Sequence, residues 1–254
     1  MSAPIRLVIS GYCGRMGACI AALARADRAF RIAGALEYTG HDCVGRDAGE
    51  CLGLPRLGVV VTDRTEQVIA AGDVLIEFSS PAATIAHVQV ARRLRKRVVI
   101  GTTGLSDAQR RQITAAAHSI PILYAPNMSV GVNLLFELAA QAAGRLGPDY
   151  QMEIVEAHHR QKKDAPSGTA KRLAEVVAAA CRVPVARIPV HAIRAGDIVG
   201  DHTLILAGPG ERLELTHRAH NRDTFARGAL HAAQFLARQR RPGLFGMQDV
   251  LRQR

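Results

Sequence analysis

The sequence predicts an α/β protein in two parts: an N-terminal parallel sheet wrapped by helices, and a second α+β domain on a mixed or antiparallel sheet. Three observations carry this. Over the first half, short β-rich runs alternate with helical patterns, and the runs are almost wholly apolar inside, as in strands buried on both faces. After residue 127 that rhythm stops, and three strand-like runs follow one another with no helix between them. The 254 residues are 48% hydrophobic and 22% charged, enough for one large core or two smaller ones, which excludes a mostly disordered chain.

Residues 5–10 (IRLVIS) read as the first strand and 15–25 as the first helix. Residues 31–37 form a second strand, followed by a loop rich in Gly and Asp over 38–58, a short strand over 59–62 and a short helix over 65–71. Strands over 74–78, 98–100 and 122–124 continue the pattern, with helices over 81–95 and 107–119 between them. A long helical pattern covers 130–146. A strand over 151–157 then enters a polar loop, 158–166, and a helix over 167–181. The runs 190–195, 203–206 and 213–218 supply the second sheet, 224–238 a last long helix, and 243–251 a short apolar tail. These rhythms place residues 1–126 and 236–254 in the first domain and 127–235 in the second.

Composition narrows the function classes. No apolar run reaches the roughly 18 residues that span a bilayer, and residues 1–5 lead straight into a strand without a leader pattern. The five cysteines (Cys13, Cys19, Cys43, Cys51, Cys181) are odd in number and contain no C-x-x-C, so neither a disulfide framework nor a zinc knuckle is expected, and a reducing cytoplasm fits. The net charge of +11 could serve nucleic acid or small anions. The densest basic cluster, Arg92-Arg93-Leu94-Arg95-Lys96-Arg97, ends a helical pattern, where cations are favourable anyway. With six Phe, four Tyr and no Trp there is little to stack on single-stranded bases, so anionic small molecules are the expected partners, not nucleic acid or a membrane.

Two segments carry chemistry. Gly11-Tyr12-Cys13-Gly14-Arg15-Met16-Gly17 lies between the first strand and first helix, where glycines allow a tight turn and bring a pyrophosphate onto a helix N-terminus. Cys13 stands at the middle glycine of the general pattern and reads as a small packing residue. Glu37 ends the second strand 20 residues after Gly17, the place of an acidic residue that holds the adenosine ribose. Together these indicate a Rossmann-type domain; the plain alternative is a strand–helix turn with Glu37 as a cap. Gly101-Thr102-Thr103-Gly104 follows another strand and should emerge at the same edge of the sheet.

The second segment is Glu156-Ala157-His158-His159-Arg160-Gln161-Lys162-Lys163-Asp164, followed by Ala165-Pro166-Ser167-Gly168-Thr169. Pro166 ahead of a helix, Ser167 as its cap, and the N–H groups around Gly168 and Thr169 make an anion site, with His and Lys beside it as acid/base groups. A solvated loop is the plain alternative. Metal ligation lacks a carboxylate–His spacing, and no metal is expected.

With these motifs the chain resembles the 4-hydroxy-tetrahydrodipicolinate reductase (dihydrodipicolinate reductase) family of lysine and diaminopimelate synthesis. The matching stretches are 11–17, 101–104 (GTTG), 127–133 (NMSVGVN), 156–169 (EAHHRQKKDAPSGT) and 194–200 (RAGDIVG), together with 210–215, His217 and 243–251. The resemblance implies that His158 is the acid/base residue and Lys162 the proton donor. It assigns His159, Ser167, Gly168 and Thr169 to substrate carboxylate. It assigns Gly11, Tyr12, Cys13, Gly14, Arg15, Met16, Glu37, Gly101, Thr102, Thr103, Ala125, Pro126, Asn127 and Met128 to an NADH or NADPH nucleotide. It further implies a cytoplasmic homotetramer built through the second domain's sheet, acting on a cyclic imine dicarboxylate. Asn127-Met128-Ser129 is formally a glycosylation sequon, but a nucleotide-side role is expected for it. Tyr38, where NADPH-using members commonly carry Arg, favours NADH. Glu77-Phe78-Ser79-Ser80-Pro81 stands where Asp-Phe-Thr is usual. A nucleotide-binding sensor without turnover, a different amino-acid dehydrogenase and, on charge alone, a nucleic-acid binder are the rival readings.

Overall fold

The computed structural model describes residues 3–253. They group into two compact units, residues 3–128 with 225–253, and Ser129–Thr224.

The first unit is built on a seven-stranded sheet in the order β11-β6-β5-β4-β1-β2-β3, parallel throughout. Its strands are β1 (Ile5–Ser10), β2 (Phe30–Leu36), β3 (Val61–Thr62), β4 (Val74–Glu77), β5 (Arg97–Ile100), β6 (Pro121–Tyr124) and β11 (Gly243–Phe245). Apolar runs such as Val74-Leu75-Ile76 are buried entirely, as strands covered on both faces must be. Helices α1 (Arg15–Ala26), α2 (Thr65–Ala71), α3 (Pro81–Arg93) and α4 (Asp107–Ala117) make the crossovers. Val88 and Ile113 pack with Leu75, Val98 and Ile122 in one core. Local chemistry fixes the helix starts. The Ser80 hydroxyl accepts the Ala83 N–H ahead of α3, and Ser106 and Gln109 cap α4 reciprocally.

The basic cluster is partly structural. The Lys96 ammonium donates to the carbonyls of Ala70 (2.8 Å) and Gly72 (2.7 Å) at the end of α2, and Arg97 donates to the Gln239 carbonyl at 3.0 Å. Loop 38–58 folds around Asp47, whose carboxylate accepts the N–H groups of Gly49, Leu57 and Gly58 at 2.8–3.0 Å. Those bonds, the one from Leu57 foremost, hold its carboxyl below the usual carboxylate range.

The second unit is a mixed four-stranded sheet in the order β10-β9-β7-β8. Strand β7 (Gln151–His158) runs parallel to β8 (Val190–Arg194) and antiparallel to β9 (Gly200–Gly208), which pairs antiparallel with β10 (Glu211–Ala219). Helices α5 (Val130–Leu146) and α6 (Gly168–Cys181) cover one face, where Phe136, Leu173 and Val177 meet Ile154, Leu204 and Leu206. Burial of each such side chain stabilises by roughly 1.5–3 kcal/mol.

Three details depart from the sequence reading. The expected boundary at residue 235 would cut helix α7 (Asp223–Arg238), whereas nearly all of α7 groups with the first unit. A Cβ on its Gly228 would stand 1.7 Å from the Met128 carbonyl oxygen, so the helix backbone lies directly against the 125–128 segment. Strand β9 runs well beyond 203–206, because Asp201 and His202, polar in sequence, stay in register with β7 and β10. The apolar tail is β11 followed by helix α8 (Met247–Arg252).

Candidate active site

In a parallel sheet every carboxyl end lies at one edge. That brings the loops after β1, β2, β5 and β6 together there, and with them the expected nucleotide contacts. The chain reverses between β1 and β4, the switch point at which such sheets bind ligands. Gly11 has φ +67°, and a Cβ on it would meet the Phe78 carbonyl oxygen at 2.4 Å. A Cβ on Gly17 would stand 2.1 Å from the Gly11 carbonyl oxygen, so only glycine lets helix and loop approach this closely. Gly14 is the N-cap of α1; no side chain caps it, and the first turn carries no acidic residue. An uncapped, glycine-lined helix start is the right cradle for a pyrophosphate. Glu37 sits just past β2, and its Oε1 accepts the Cys13 N–H at 2.7 Å, so it ties the glycine loop to the end of that strand. The expected nucleotide residues fit a dinucleotide.

Several of them fit through backbone only. Tyr12, Thr102, Ala125 and Met128 are buried. The Thr102 hydroxyl is engaged with Thr84 (2.9 Å) and the Glu77 carbonyl (3.4 Å). The ring of Phe78 covers Gly101, where a Cβ would meet it at 2.1 Å. The departure at Glu77 is internal: its wholly buried carboxylate pairs with Ser10, Ser79 and His87.

In the second unit the polar residues converge at one end of the sheet. Residues 156 and 158 point to the same face of β7, under the start of α6. The His158 Nδ1–H donates to Glu156 Oε2, which orients the ring and leaves Nε2 as the reactive nitrogen. Nε2 lies over Gly200, where a Cβ would stand 3.0 Å away. Arg194 is opposite His158 in the β7–β8 register and grips Glu156 with both terminal nitrogens, at 2.9 and 2.8 Å. Arg194 also donates to the Asp164 carbonyl at 2.6 Å, and the Ser167 N–H donates to Glu156 Oε1 at 3.0 Å.

Burial pushes the Glu156 carboxyl up, but Arg194, His158 and the Ser167 N–H outweigh it and hold the group ionised below its usual range. Burial pushes His158 down; Glu156 opposes this, and the charges of Lys162 and Arg194 add to it. His158 is therefore neutral at pH 7. Lys162 pairs with Asp164 at 2.8 Å, and that bond lowers the Asp164 carboxyl. The loop is pinned by the Ala195 N–H to the His158 carbonyl (2.9 Å) and the Arg160 N–H to the Gly196 carbonyl (3.2 Å).

Ser167 differs from the expectation of a carboxylate contact. It is buried, its N–H is given to Glu156, and its hydroxyl accepts the Ala170 N–H (3.1 Å) and shares a hydrogen bond with His202 Nε2 (3.2 Å). That leaves the start of α6 at Gly168 for an anion. Gly168 opens outward, with nothing within 4 Å of a Cβ placed there. Sequence reasoning gave no role to Glu156, Arg194 or His202. His202 stands across from Glu156 on β9, edge-on to His158 with ring centroids 5.2 Å apart. Burial, with the neighbouring His158, pushes it down to about 3. Only strand register reveals this neighbourhood, although the polar positions inside an otherwise buried alternation were a signal.

Two family models match the chain: dihydrodipicolinate reductase, N-terminus, over residues 5–128, and dihydrodipicolinate reductase, C-terminus, over residues 131–251. The chain belongs to the dihydrodipicolinate reductase family. The 4-hydroxy-tetrahydrodipicolinate reductase of Magnetococcus marinus is 44% identical over 97% of this chain and 98% of its own. That of Alkalilimnicola ehrlichii is 48% identical over the same shares. Among solved structures, dipicolinate-bound dihydrodipicolinate reductase from Paenisporosarcina sp. TG-14 is similar with a TM-score of 0.81 and 25% identity, covering 97% of this chain and 98% of that one. As a family member the chain is a reductase that uses a nicotinamide cofactor on a small-molecule substrate. Among the described residues no helix is long and apolar enough to cross a membrane.

Proposed function

We propose that the chain reduces 4-hydroxy-tetrahydrodipicolinate to tetrahydrodipicolinate with NADH or NADPH, in lysine and diaminopimelate synthesis. The observation that carries this reading is the buried Glu156–His158–Arg194 network beside Lys162 and the open start of α6. His159 and the Gly168 and Thr169 N–H groups hold the substrate carboxylates, aided by the helix dipole. When bound, the nicotinamide supplies a hydride to C4 of the conjugated imine formed as water leaves. Electron density then moves towards C3 and the ring nitrogen, and the Lys162 ammonium stabilises that charge and donates the proton to C3. His158, neutral with its lone pair at Nε2, takes the acid/base role there. Glu156 and Arg194 act through His158 as positioning residues.

Backbone groups of residues 11–16, 101–103 and 125–128 bind the nucleotide, with Glu37 on the ribose hydroxyls. The carboxylate of Glu37 disfavours a 2′-phosphate, and Tyr38 supplies no counter-charge, so NADH serves at least as well as NADPH. The active form is a cytoplasmic homotetramer. Supporting this, the sheet face away from α5 and α6 carries Val155, Ile193, Thr203 and Ile205, none of them buried. Light scattering should give four chain masses; a monomer would remove that part of the proposal.

The test is oxidation of NADH and NADPH with substrate freshly generated from pyruvate and aspartate semialdehyde. Turnover on this substrate supports the reading. Nucleotide binding without turnover favours a sensor, and a kcat/KM for NADPH ten or more times that for NADH overturns the cofactor assignment.

A further inference from the structure

Loop 38–58 does more than connect β2 to β3. It carries His41, Cys43 and Cys51 back onto the glycine loop, beside Cys13. Ligand atoms of Cys13, His41 and Cys43 lie within 4.8 Å of one another. The Cys51 thiol reaches the Cys43 carbonyl at 3.8 Å and interacts with the thiols of both Cys43 and Cys13. All four side chains are half-buried, on a protein that is otherwise strongly basic.

A second observation points to the same place. Tyr12 is wholly buried, and its hydroxyl has no hydrogen-bond partner among the described residues. Its neighbours in the electrostatic sense are Cys13, Cys51 and Asp47. A wholly buried donor without an acceptor is costly, and it marks the ground beneath these cysteines as a place where a polar group is out of balance.

We propose that Cys13, His41 and Cys43, with Cys51 as fourth ligand, bind one thiophilic divalent cation of the Zn²⁺ type. Sulfur and imidazole donors select a borderline-soft ion over Mg²⁺ or Ca²⁺. In a tetrahedral site with Zn–S of about 2.3 Å and Zn–N of about 2.0 Å, donor atoms stand roughly 3.5–4 Å apart, so Cys13, His41 and Cys43 close on an ion with small side-chain shifts and Cys51 moves in as the fourth ligand. Each thiol that ligates gives its proton to solvent and forms a metal–thiolate bond; no electron changes hands. The His41 ring is already held against the cluster, because its Nδ1 accepts the Cys43 N–H at 3.1 Å. Tyr38 packs edge-on against the His41 ring, with centroids 5.1 Å apart, and steadies it. Because Cys13 lies in the nucleotide loop, with its N–H on Glu37, the ion and the dinucleotide address one segment.

The experiment titrates the full-length, reduced, metal-stripped protein with Co²⁺ under anaerobic conditions and then with Zn²⁺. One equivalent of Co²⁺ should give a thiolate-to-cobalt charge-transfer band and strong tetrahedral visible bands, both bleached by one equivalent of Zn²⁺. Cys43→Ser and, separately, His41→Ala should lose these bands, while Cys181→Ser, in the second unit, keeps them. Zn²⁺ should raise the melting temperature of the unaltered chain and not that of Cys43→Ser. Both variants lie in a loop, and metal-free melts establish that each is folded. Absence of the charge-transfer band from the unaltered chain, or its persistence in folded Cys43→Ser and His41→Ala, would overturn the proposal.

Discussion

Replacing Glu156 by Gln tests how the His158 ring is held. The native carboxylate is wholly buried and accepts two bonds from Arg194, one from the Ser167 N–H and one from the His158 Nδ1–H. An amide has one accepting oxygen. Placed on the Ser167 side, it keeps that bond and one from Arg194, and its NH2 then faces the other Arg194 nitrogen and His158. The guanidinium loses one of its four hydrogen bonds, and the imidazole must turn its Nδ1 lone pair inward and move its proton to Nε2. Removing one member of a buried ion pair costs about 3–5 kcal/mol. Two surviving hydrogen bonds and the partial exposure of Arg194, 19% at the side chain, reduce this to roughly 2–3 kcal/mol. For a chain of this size that lowers Tm by several degrees. The tautomer change should lower kcat by about 10²–10³-fold with NADH affinity unchanged. Loss of the carboxylate also removes what raises the His158 pKa, so any acid limb of kcat due to His158 moves to lower pH. The assays are a pH series of steady-state rates and a calorimetric melt. A folded variant with native kcat and an unshifted profile would refute the positioning role, and a loss of stability alone would reduce Glu156 to a structural residue.

Further outcomes follow from the same geometry. His158→Gln and Lys162→Ala should each lower kcat by about 10²-fold or more, and together by much less than the product, because residues acting as one unit are non-additive; rates with matched NADH titrations check this. Gly17→Ala should abolish tight NADH binding, since its Cβ would meet the Gly11 carbonyl oxygen at 2.1 Å, whereas Gly14→Ala meets only that oxygen at 3.1 Å and should fold normally in a thermal melt. His202 is depressed in the folded chain from 6.5 to about 3, so the unfolded chain takes up the proton first and stability falls as pH drops through that window. Between pH 7 and 5 the native chain should therefore lose more Tm than His202→Gln; equal losses would assign the acid sensitivity elsewhere.

What could be read from the chain, and what could not, divides along a physical line. Local signals worked: the apolar runs became buried strands and Ser167 caps α6, while Glu37, placed by its spacing at a ribose, makes the capping contact with the Cys13 N–H that was the plain alternative. Signals that depend on register or return of the chain did not. Arg194 reaches Glu156 because β8 runs parallel to β7, and His202 joins them because β9 extends through polar residues. Cys43 and Cys51 meet Cys13 because loop 38–58 is folded by the Asp47 carboxylate. Helix α7 was divided at residue 235 because its pattern carries no mark of the Gly228 approach to Met128.

Isotope placement in the product tests the proposed reaction most directly. Reduction in D2O with unlabelled NADH, and in H2O with NADH deuterated at the transferred position, should give complementary products by NMR. Cofactor hydrogen should appear only at C4 and solvent hydrogen at C3, with both rates falling together in Lys162→Ala. Substrate-dependent NADH oxidation that leaves cofactor label elsewhere, or no turnover at all by the folded native chain, would contradict hydride transfer at this site.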